Sequence, residues 1–347
     1  MKAYDRVFVT HLPAFYKVNL YNEIAKRCKV FVIFIASTSA IRSKDFTQGE
    51  FAFDYCVLNE GPFESRSKLK SLFRLYQVLK TLRFKQIIVG GWDLLEFWLI
   101  AYRYPTKSNA LACESSIFES KTQGLSASLK KAFLERMQLV YCSGEAQKDL
   151  VRCLSFKGDI KKTLGVGIFN YTNKKSANKT FQGKFLYVGR LAPEKNLESL
   201  VRLFAKYPQY QLTLIGQGPL AEKLQAMDLK NVNLVGHVSN EALSSWYQSH
   251  DVFVLPSTKE PWGLVVEEAL YHGLPVIASA QVGSAQDFII QYQVGKLFEP
   301  GNNESFDEAV TWCAKHYSLL LENLKMIDFK ARDAWQVEQY LTVKASS

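Results

Sequence analysis

Between residues 251 and 279 the chain reads DVFVLPSTKEPWGLVVEEALYHGLPVIAS, a strand, a loop, a helix and a second strand with almost no slack between them. Asp251 to Leu255 is an apolar run of strand length that Pro256 and Ser257 break. Leu264 to Tyr271 has helical spacing and is closed by Gly273 and Pro275, after which Pro275 to Ser279 forms the next strand. Such an order is a βαβ unit, so the two strands run parallel. The loop after the first strand then lies at the carboxyl edge of a sheet, where α/β folds bind ligands.

Two carboxylates, Glu260 and Glu268, bracket the start of that helix, with Gly263 between them. Backbone N–H groups near Gly263, Leu264 and Val265 point out of the helix N-terminus, which favours a phosphate. Ionised carboxylates only accept hydrogen bonds and therefore suit sugar hydroxyls. The plainer alternative is a pair of solvated surface charges. What stands upstream weighs against it.

The chain has 347 residues and 48% hydrophobic content, enough for two cores. Its six cysteines (Cys28, Cys56, Cys113, Cys142, Cys153 and Cys313) have no CxxC or Cys/His spacing, so no metal or redox site is expected. Reduced, buried thiols suit a cytoplasmic protein. The start, MKAYDRVFVTHLP, has too short an apolar run for a signal peptide, and Asp93 and Glu96 interrupt the best candidate membrane span. Charge is uneven: residues 1–172 hold 26 Lys and Arg against 15 Asp and Glu, a net +11, whereas residues 173–347 hold 17 against 18, a net −1. Such an excess attracts nucleic acid, anionic lipid or an acidic substrate.

The first half opens with a strand at Arg6 to Thr10, a break at Pro13, a helix at Tyr16 to Lys26 and a strand at Val30 to Ala36. Further apolar runs at Tyr55 to Leu58, Gln86 to Val89, Ala110 to Cys113 and Leu139 to Cys142 extend one parallel sheet. Residues 62–85 place Leu69, Leu72, Phe73, Tyr76, Leu79 and Leu82 at helical spacing among Lys68, Lys70, Arg74, Lys80 and Arg83. That pattern suits either an anionic membrane surface or the apolar stripe of a helix packed on its own sheet. Beyond Gly90 and Gly91, Asp93 is placed to cap a helix. Glu114 ends a strand and is a candidate acceptor-side base or hydrogen-bond acceptor.

Residues 173–182 read as a polar linker. The second half then opens on GKFLYVGRLAPEKNLESLVRLF, with a strand at Phe185 to Val188, a turn at Gly189 and a helix from about Glu194. Arg190 and Lys195 flank that turn, where two cations suit a diphosphate. Downstream, Gly216 and Gly218 permit either a turn or the close approach of a ligand.

Taken in order, FLYVGRLAPEKNLESLV, LTLIGQGP, VNLVGHVSNEALSSWYQSHDVFVLPS and EPWGLVVEEALYHGLPVIAS resemble the retaining glycosyltransferases of the GT-B type, in particular family four. The resemblance covers about residues 185–290. It implies an α/β fold of two Rossmann-like doubly wound domains facing each other across a cleft. It also implies that Arg190 and Lys195 bind the donor diphosphate, Glu268 the ribose and Glu260 the transferred hexose. The backbone around Gly263, Leu264 and Val265 would hold phosphate oxygens, and His237 and Val238 would touch the base. Many members carry a glycine pair where this chain has His11, Leu12 and Pro13, and a histidine about where Glu114 stands. The acceptor side is therefore where this sequence departs from the family.

The expected boundaries are an acceptor domain at 1–172, a donor domain at 183–325 and a last helix within 326–347 packing back on the first domain. The expected activity is retaining transfer from a UDP- or GDP-linked sugar to a lipid-linked or saccharide acceptor, in surface polysaccharide synthesis such as lipopolysaccharide or capsule. Without an acidic DxD cluster, no metal or cofactor is expected, and Arg190, Lys195 and the helix N-terminus take the leaving-group charge. The protein would sit on the anionic inner face of the cytoplasmic membrane, with no nucleic acid partner. An epimerase or phosphorylase on the same fold, or a non-catalytic assembly factor keeping the nucleotide-sugar pocket, are the alternatives.

Overall fold

Apolar residues at consecutive positions, as in Val7 to Val9 and Phe185 to Val188, mark parallel strands covered on both faces. In a computed structural model, which describes residues 2–42, 44–47, 49–165, 167–169 and 179–342, these runs form the centres of two parallel sheets. The chain divides into two units, Met1–Asn170 with Lys330–Ser347, and Tyr171–Phe329.

The strands of the first unit are β1 Lys2–Thr10, β2 Val30–Phe34, β3 Asp54–Val57, β4 Leu82–Val89, β5 Asn109–Cys113, β6 Leu139–Cys142 and β7 Asp159–Lys162. They lie in the order β3-β2-β1-β4-β5-β6-β7. Its helices are α1 Phe15–Ala25, α2 Lys68–Thr81, α3 Leu95–Arg103, α4 Gly124–Leu134 and α5 Glu145–Cys153. Leu75 and Leu79 of α2, Phe97 and Ile100 of α3, Phe133 of α4 and Leu150 of α5 pack with Val7, Val9, Ile87 and Val89 on one face. Val18 and Ile24 of α1 pack with Phe8, Val32 and Ile88 on the other. Each such side chain removed from water stabilises the fold by about 1.5–3 kcal/mol before chain entropy is subtracted.

The second unit contains β8 Lys184–Val188, α6 Leu197–Phe204, β9 Gln211–Ile215, α7 Ala221–Gln225, β10 Val232–Gly236 and α8 Asn240–Ser249. It continues with β11 Val252–Leu255, α9 Leu264–Tyr271, β12 Val276–Ser279, β13 Gly295–Phe298, α10 Asn303–Lys315 and α11 Tyr317–Leu324. Its sheet has the order β10-β9-β8-β11-β12-β13. In both sheets chain order reverses beside the opening strand, between β1 and β4 in one and between β8 and β11 in the other. Each pair of carboxyl ends is a switch point, and the crevice outside it is where a doubly wound sheet takes its ligand.

The last helix, α12 Phe329–Leu341, lies within the first unit from Lys330 onward. Arg6, 4% exposed, donates to the carbonyls of Tyr340 and Leu341, each at 2.8 Å. A guanidinium buried at a helix C-terminus is satisfied there by carbonyls the helix itself cannot use. Gln336 of α12 donates to Gly165 O at 2.7 Å, and Val337 and Tyr340 complete the core beneath.

Several local expectations are corrected. The helix expected within residues 62–85 ends at Thr81; Leu82 and Arg83 belong to β4, where their backbones pair with Lys2 and Ala3 of β1. Ladder bonding to a central strand outweighs the helical spacing of one leucine. The helix expected from Glu194 begins instead at Leu197, because Pro193–Lys195 form a tighter 3-10 turn and Asn196 turns left-handed at φ 54°. Neither β7 nor α11 is in the sequence reading. Of the expected linker, residues 173–178 lie outside the described residues.

Candidate functional site

β11 pairs in parallel with β8, and the residues that follow each strand meet. Lys195, ending the 3-10 turn after β8, is ion-paired through Nζ to Oε2 of Glu260 in the loop after β11, with the two side chains 16% and 13% exposed. Two charges so far withdrawn from water need each other, since either alone would lose its solvation without compensation. Thr258 N donates to Glu194 O at 2.9 Å, and Gly283 N to Glu260 O at 2.9 Å. These backbone bonds fix the loop on both flanks.

Gly263 begins α9 with φ 89°, a conformation glycine adopts at no steric cost. Space is short as well: a Cβ there would lie 3.2 Å from Glu260 Cγ and 3.1 Å from Val282. The amides of Leu264 and Val265 therefore open a helix immediately beside the Lys195–Glu260 pair. Glu268, one turn along α9, accepts a 3.0 Å hydrogen bond from the Tyr247 hydroxyl. Burial pushes its carboxyl above the usual range, with the Tyr247 bond only partly opposing it. Tyr247, fully buried on α8, holds this carboxylate from an element the sequence reading did not connect with it.

Arg190 follows β8 as expected, but its guanidinium is ion-paired to Glu194 four residues on. Gly216 has a packing reason of its own: a Cβ there would lie 1.8 Å from the Gly189 carbonyl. Gly218 is similarly closed by the Leu191 carbonyl at 2.3 Å. The turn after β9 thus packs directly on the turn that carries Arg190. His237 is exposed and Val238 half-buried just beyond β10.

In the first unit, Glu114 follows β5 and is ion-paired at 2.7 Å to Lys17, a buried lysine of α1. Burial opposes the Lys17 charge, yet Glu114 and the nearby tyrosines together hold its ammonium above the ordinary lysine range. Lys17 also donates to Thr10 Oγ1 at 3.0 Å. No local pattern announces Lys17, since a lysine within an apolar helix usually reaches for solvent. The helix cap expected of Asp93 is overturned: α3 begins after Leu94 without a side-chain cap, and Asp93 bonds His11 at 2.8 Å. Among the described residues no group of three or more His, Cys, Asp or Glu is placed to hold a metal ion.

The model of the family "Glycosyl transferases group 1" matches residues 170–329. Over 123 residues the chain is 42% identical to the sulfoquinovosyl transferase SQD2 of Arabidopsis thaliana, a match spanning 34% of this chain and 24% of that protein. Over 113 residues it is 38% identical to a GDP-mannose-dependent alpha-mannosyltransferase of Mycolicibacterium smegmatis, spanning 33% and 29%. Less than a third of each of these curated relatives is therefore matched. Solved structures match nearly the whole chain. A sucrose-phosphate synthase from Thermosynechococcus elongatus superposes with TM-score 0.74 at 21% identity over 97% of this chain and 98% of that one. WaaG, a glycosyltransferase involved in lipopolysaccharide biosynthesis, gives 0.66 at 16% identity over 96% and 99%. The two doubly wound units of this chain have the fold of GT-B glycosyltransferases, and residues 170–329 are similar to the glycosyl transferases group 1.

Proposed function

We propose that this protein is a retaining, metal-independent glycosyltransferase, moving a sugar from a UDP- or GDP-linked donor to a lipid-linked or saccharide acceptor at an anionic membrane surface. The Lys195–Glu260 pair carries this reading: a cation for a diphosphate and a carboxylate for sugar hydroxyls stand side by side at the mouth of a helix. A nucleotide sugar demands that combination at its sugar–phosphate junction.

In this reading Lys195 shifts part of its contact from Glu260 to the diphosphate, and Arg190 exchanges Glu194 for the same group. The amides at the start of α9 take the remaining phosphate oxygens. Together they stabilise the charge that develops as the bond between the sugar and the diphosphate breaks. Glu260 accepts hydrogen bonds from the transferred sugar and Glu268 from the ribose, while His237 and Val238 border the base. Glu114, already holding Lys17, serves as a hydrogen-bond acceptor on the acceptor side. No covalent nucleophile is assigned.

Support for the membrane part comes from α2, where Leu69 and Phe73 are 78% and 64% exposed between exposed lysines. A role in surface polysaccharide synthesis is supported by the fold shared with WaaG, itself involved in lipopolysaccharide biosynthesis. No helix among the described residues is long and apolar enough to cross a membrane. Thermal unfolding with UDP, GDP and a panel of their sugars tests the donor: a ligand at 100 times its Kd stabilises by about 2.7 kcal/mol. Absence of stabilisation by every member would defeat the reading. Turnover in EDTA tests the chemistry, and a loss restored by magnesium or manganese would contradict metal independence.

A further inference from the structure

The loop from β11 into α9 carries a second polar contact, more deeply buried than the Lys195–Glu260 pair. Trp262, 6% exposed, donates from its indole Nε1 to Oε1 of Glu267, 2% exposed in the first turn of α9. An indole N–H only donates and an ionised carboxylate only accepts, so the two are matched in role. A carboxylate so far from water loses most of its solvation, and an apolar side chain in its place would pack without that loss. Such a bond is weak as a source of stability and strong as a constraint on geometry.

The segment it constrains is the one that carries the site. Gly283 N donates to Glu260 O and Ser284 N to Trp262 O, each at 2.9 Å, and Glu260 bridges Val282 in parallel. Those bonds hold the main chain on one flank. On the other, the indole bond ties Trp262 to the helix that the loop leads into, and the ring packs edge-on against Phe288 at 6.3 Å. Trp262 stands two residues after Glu260 and one before Gly263, whose left-handed turn at φ 89° starts α9. A Cβ on Gly263 would lie 3.2 Å from Glu260 Cγ, so the turn and that carboxylate are packed together. Displacing the indole thus displaces the Glu260 side chain and the amides of Leu264 and Val265 at once.

We propose that Trp262 and Glu267 are positioning residues of the donor site. Their bond holds the loop so that the Glu260 carboxylate stands where the sugar hydroxyls arrive, while neither residue touches sugar or diphosphate itself; what the loop holds rests on the transferase reading above. Both residues, and every group they position, lie in the second unit. A ligand that meets a loop already fixed loses less entropy on binding, and this support acts on affinity for the sugar more than on affinity for bare nucleotide.

Amide hydrogen exchange of the intact protein, followed by mass spectrometry, reads the loop without any ligand. Trp262→Phe keeps a buried ring and loses the N–H; exchange in residues 257–266 should quicken about tenfold while β8, β9 and α6 keep the parent's rates. Unchanged loop exchange overturns the proposal, and so does faster exchange spread through the whole second unit, the mark of a merely structural role. Calorimetric titration with UDP, UDP-glucose, GDP and GDP-mannose gives the second readout. The ratio of affinity for a nucleotide sugar to that for its nucleotide should fall about tenfold in Trp262→Phe and in Glu267→Ala, with bare nucleotide held within about threefold. A ratio unchanged in Trp262→Phe overturns the proposal. Glu267→Gln keeps an acceptor oxygen for the indole and should restore the parent's ratio; a glutamine variant as impaired as Glu267→Ala overturns the role of the bond. Should the parent bind none of the four, the transferase reading answers to its own donor panel, and exchange of the loop alone decides the positioning role.

Discussion

Lys195 and Glu260 are paired with each other, so removing either one has two separable effects. Lys195→Ala should lower turnover by more than tenfold, because a charged hydrogen bond to the leaving diphosphate is worth about 1.5–3 kcal/mol. It should also destabilise the second unit by about 1–3 kcal/mol, the cost of leaving Glu260 without its partner. The double variant Lys195→Ala with Glu260→Ala should regain much of that stability and none of the turnover; urea unfolding beside kinetics checks both. Glu268 behaves differently. Its folded carboxyl titrates above its unfolded value, so the stability it contributes is present in acid and lost as pH rises through the folded value. Glu268→Gln should therefore raise the melting temperature near pH 7 and leave it nearly unchanged near pH 4, while nucleotide affinity falls. A variant no more stable than the parent at neutral pH would count against a carboxylate kept there for binding. These residues differ in how far the sequence disclosed them. Glu260 and Glu268 could be read because two glycines and a proline bound their loop and helix. The partners Tyr247 and Lys17 could not, since each reaches its carboxylate from another element through packing. Asp93 illustrates the limit most sharply: a local rule makes it a cap, and His11, 82 positions away, takes it instead.

Among elements, α2 carries a division that its periodicity alone does not resolve. Ser71, Leu75 and Leu79 face the sheet, whereas Leu69 and Phe73 stand in solvent beside Lys68 and Lys70. Leu75→Ala should cost about 2–5 kcal/mol, and Leu69→Ser with Phe73→Ser no more than about 0.5 kcal/mol each. If α2 docks on lipid, the exposed pair should nonetheless weaken vesicle sedimentation markedly at unchanged melting temperature. Unchanged sedimentation would assign that stripe no membrane role. The turn after β9 makes the opposite point. Its glycines could be read as room for a ligand, but Gly216 has φ 145° with its Cβ position closed by the Gly189 carbonyl. Gly216→Ala should destabilise the second unit by about 1–3 kcal/mol, and donor affinity should fall only through the displaced Arg190 turn. Most strands were legible because parallel strands buried on both faces are continuous apolar runs, whereas their order in each sheet was not. The boundary of α2 was not, because one leucine satisfies both helical spacing and the β1–β4 ladder.

For the whole molecule, the decisive asymmetry is electrostatic: residues 1–172 carry a net +11 and residues 173–347 a net −1. Such a division does nothing for a fold, since concentrated like charge repels itself, and so it asks for an external partner. Nucleic acid and lipid would both answer to charge alone; the exposed Leu69 and Phe73 amid the lysines of α2 favour lipid, which alone rewards apolar exposure. Binding to vesicles containing phosphatidylglycerol should then be strong at low salt and fall steeply as the screening length shrinks from about 8 Å at physiological ionic strength to about 3 Å at 1 M. Replacing Lys68, Lys70 and Lys80, all exposed, by glutamate should reproduce the high-salt loss at low salt. Stabilisation by UDP or GDP should be unchanged in that variant, because Arg190, Lys195 and Glu268, proposed above to hold the donor, belong to the other unit. Equal binding to neutral and anionic vesicles, or a triple variant that binds as the parent does, would remove the membrane from this reading and leave the basic half to an acidic acceptor.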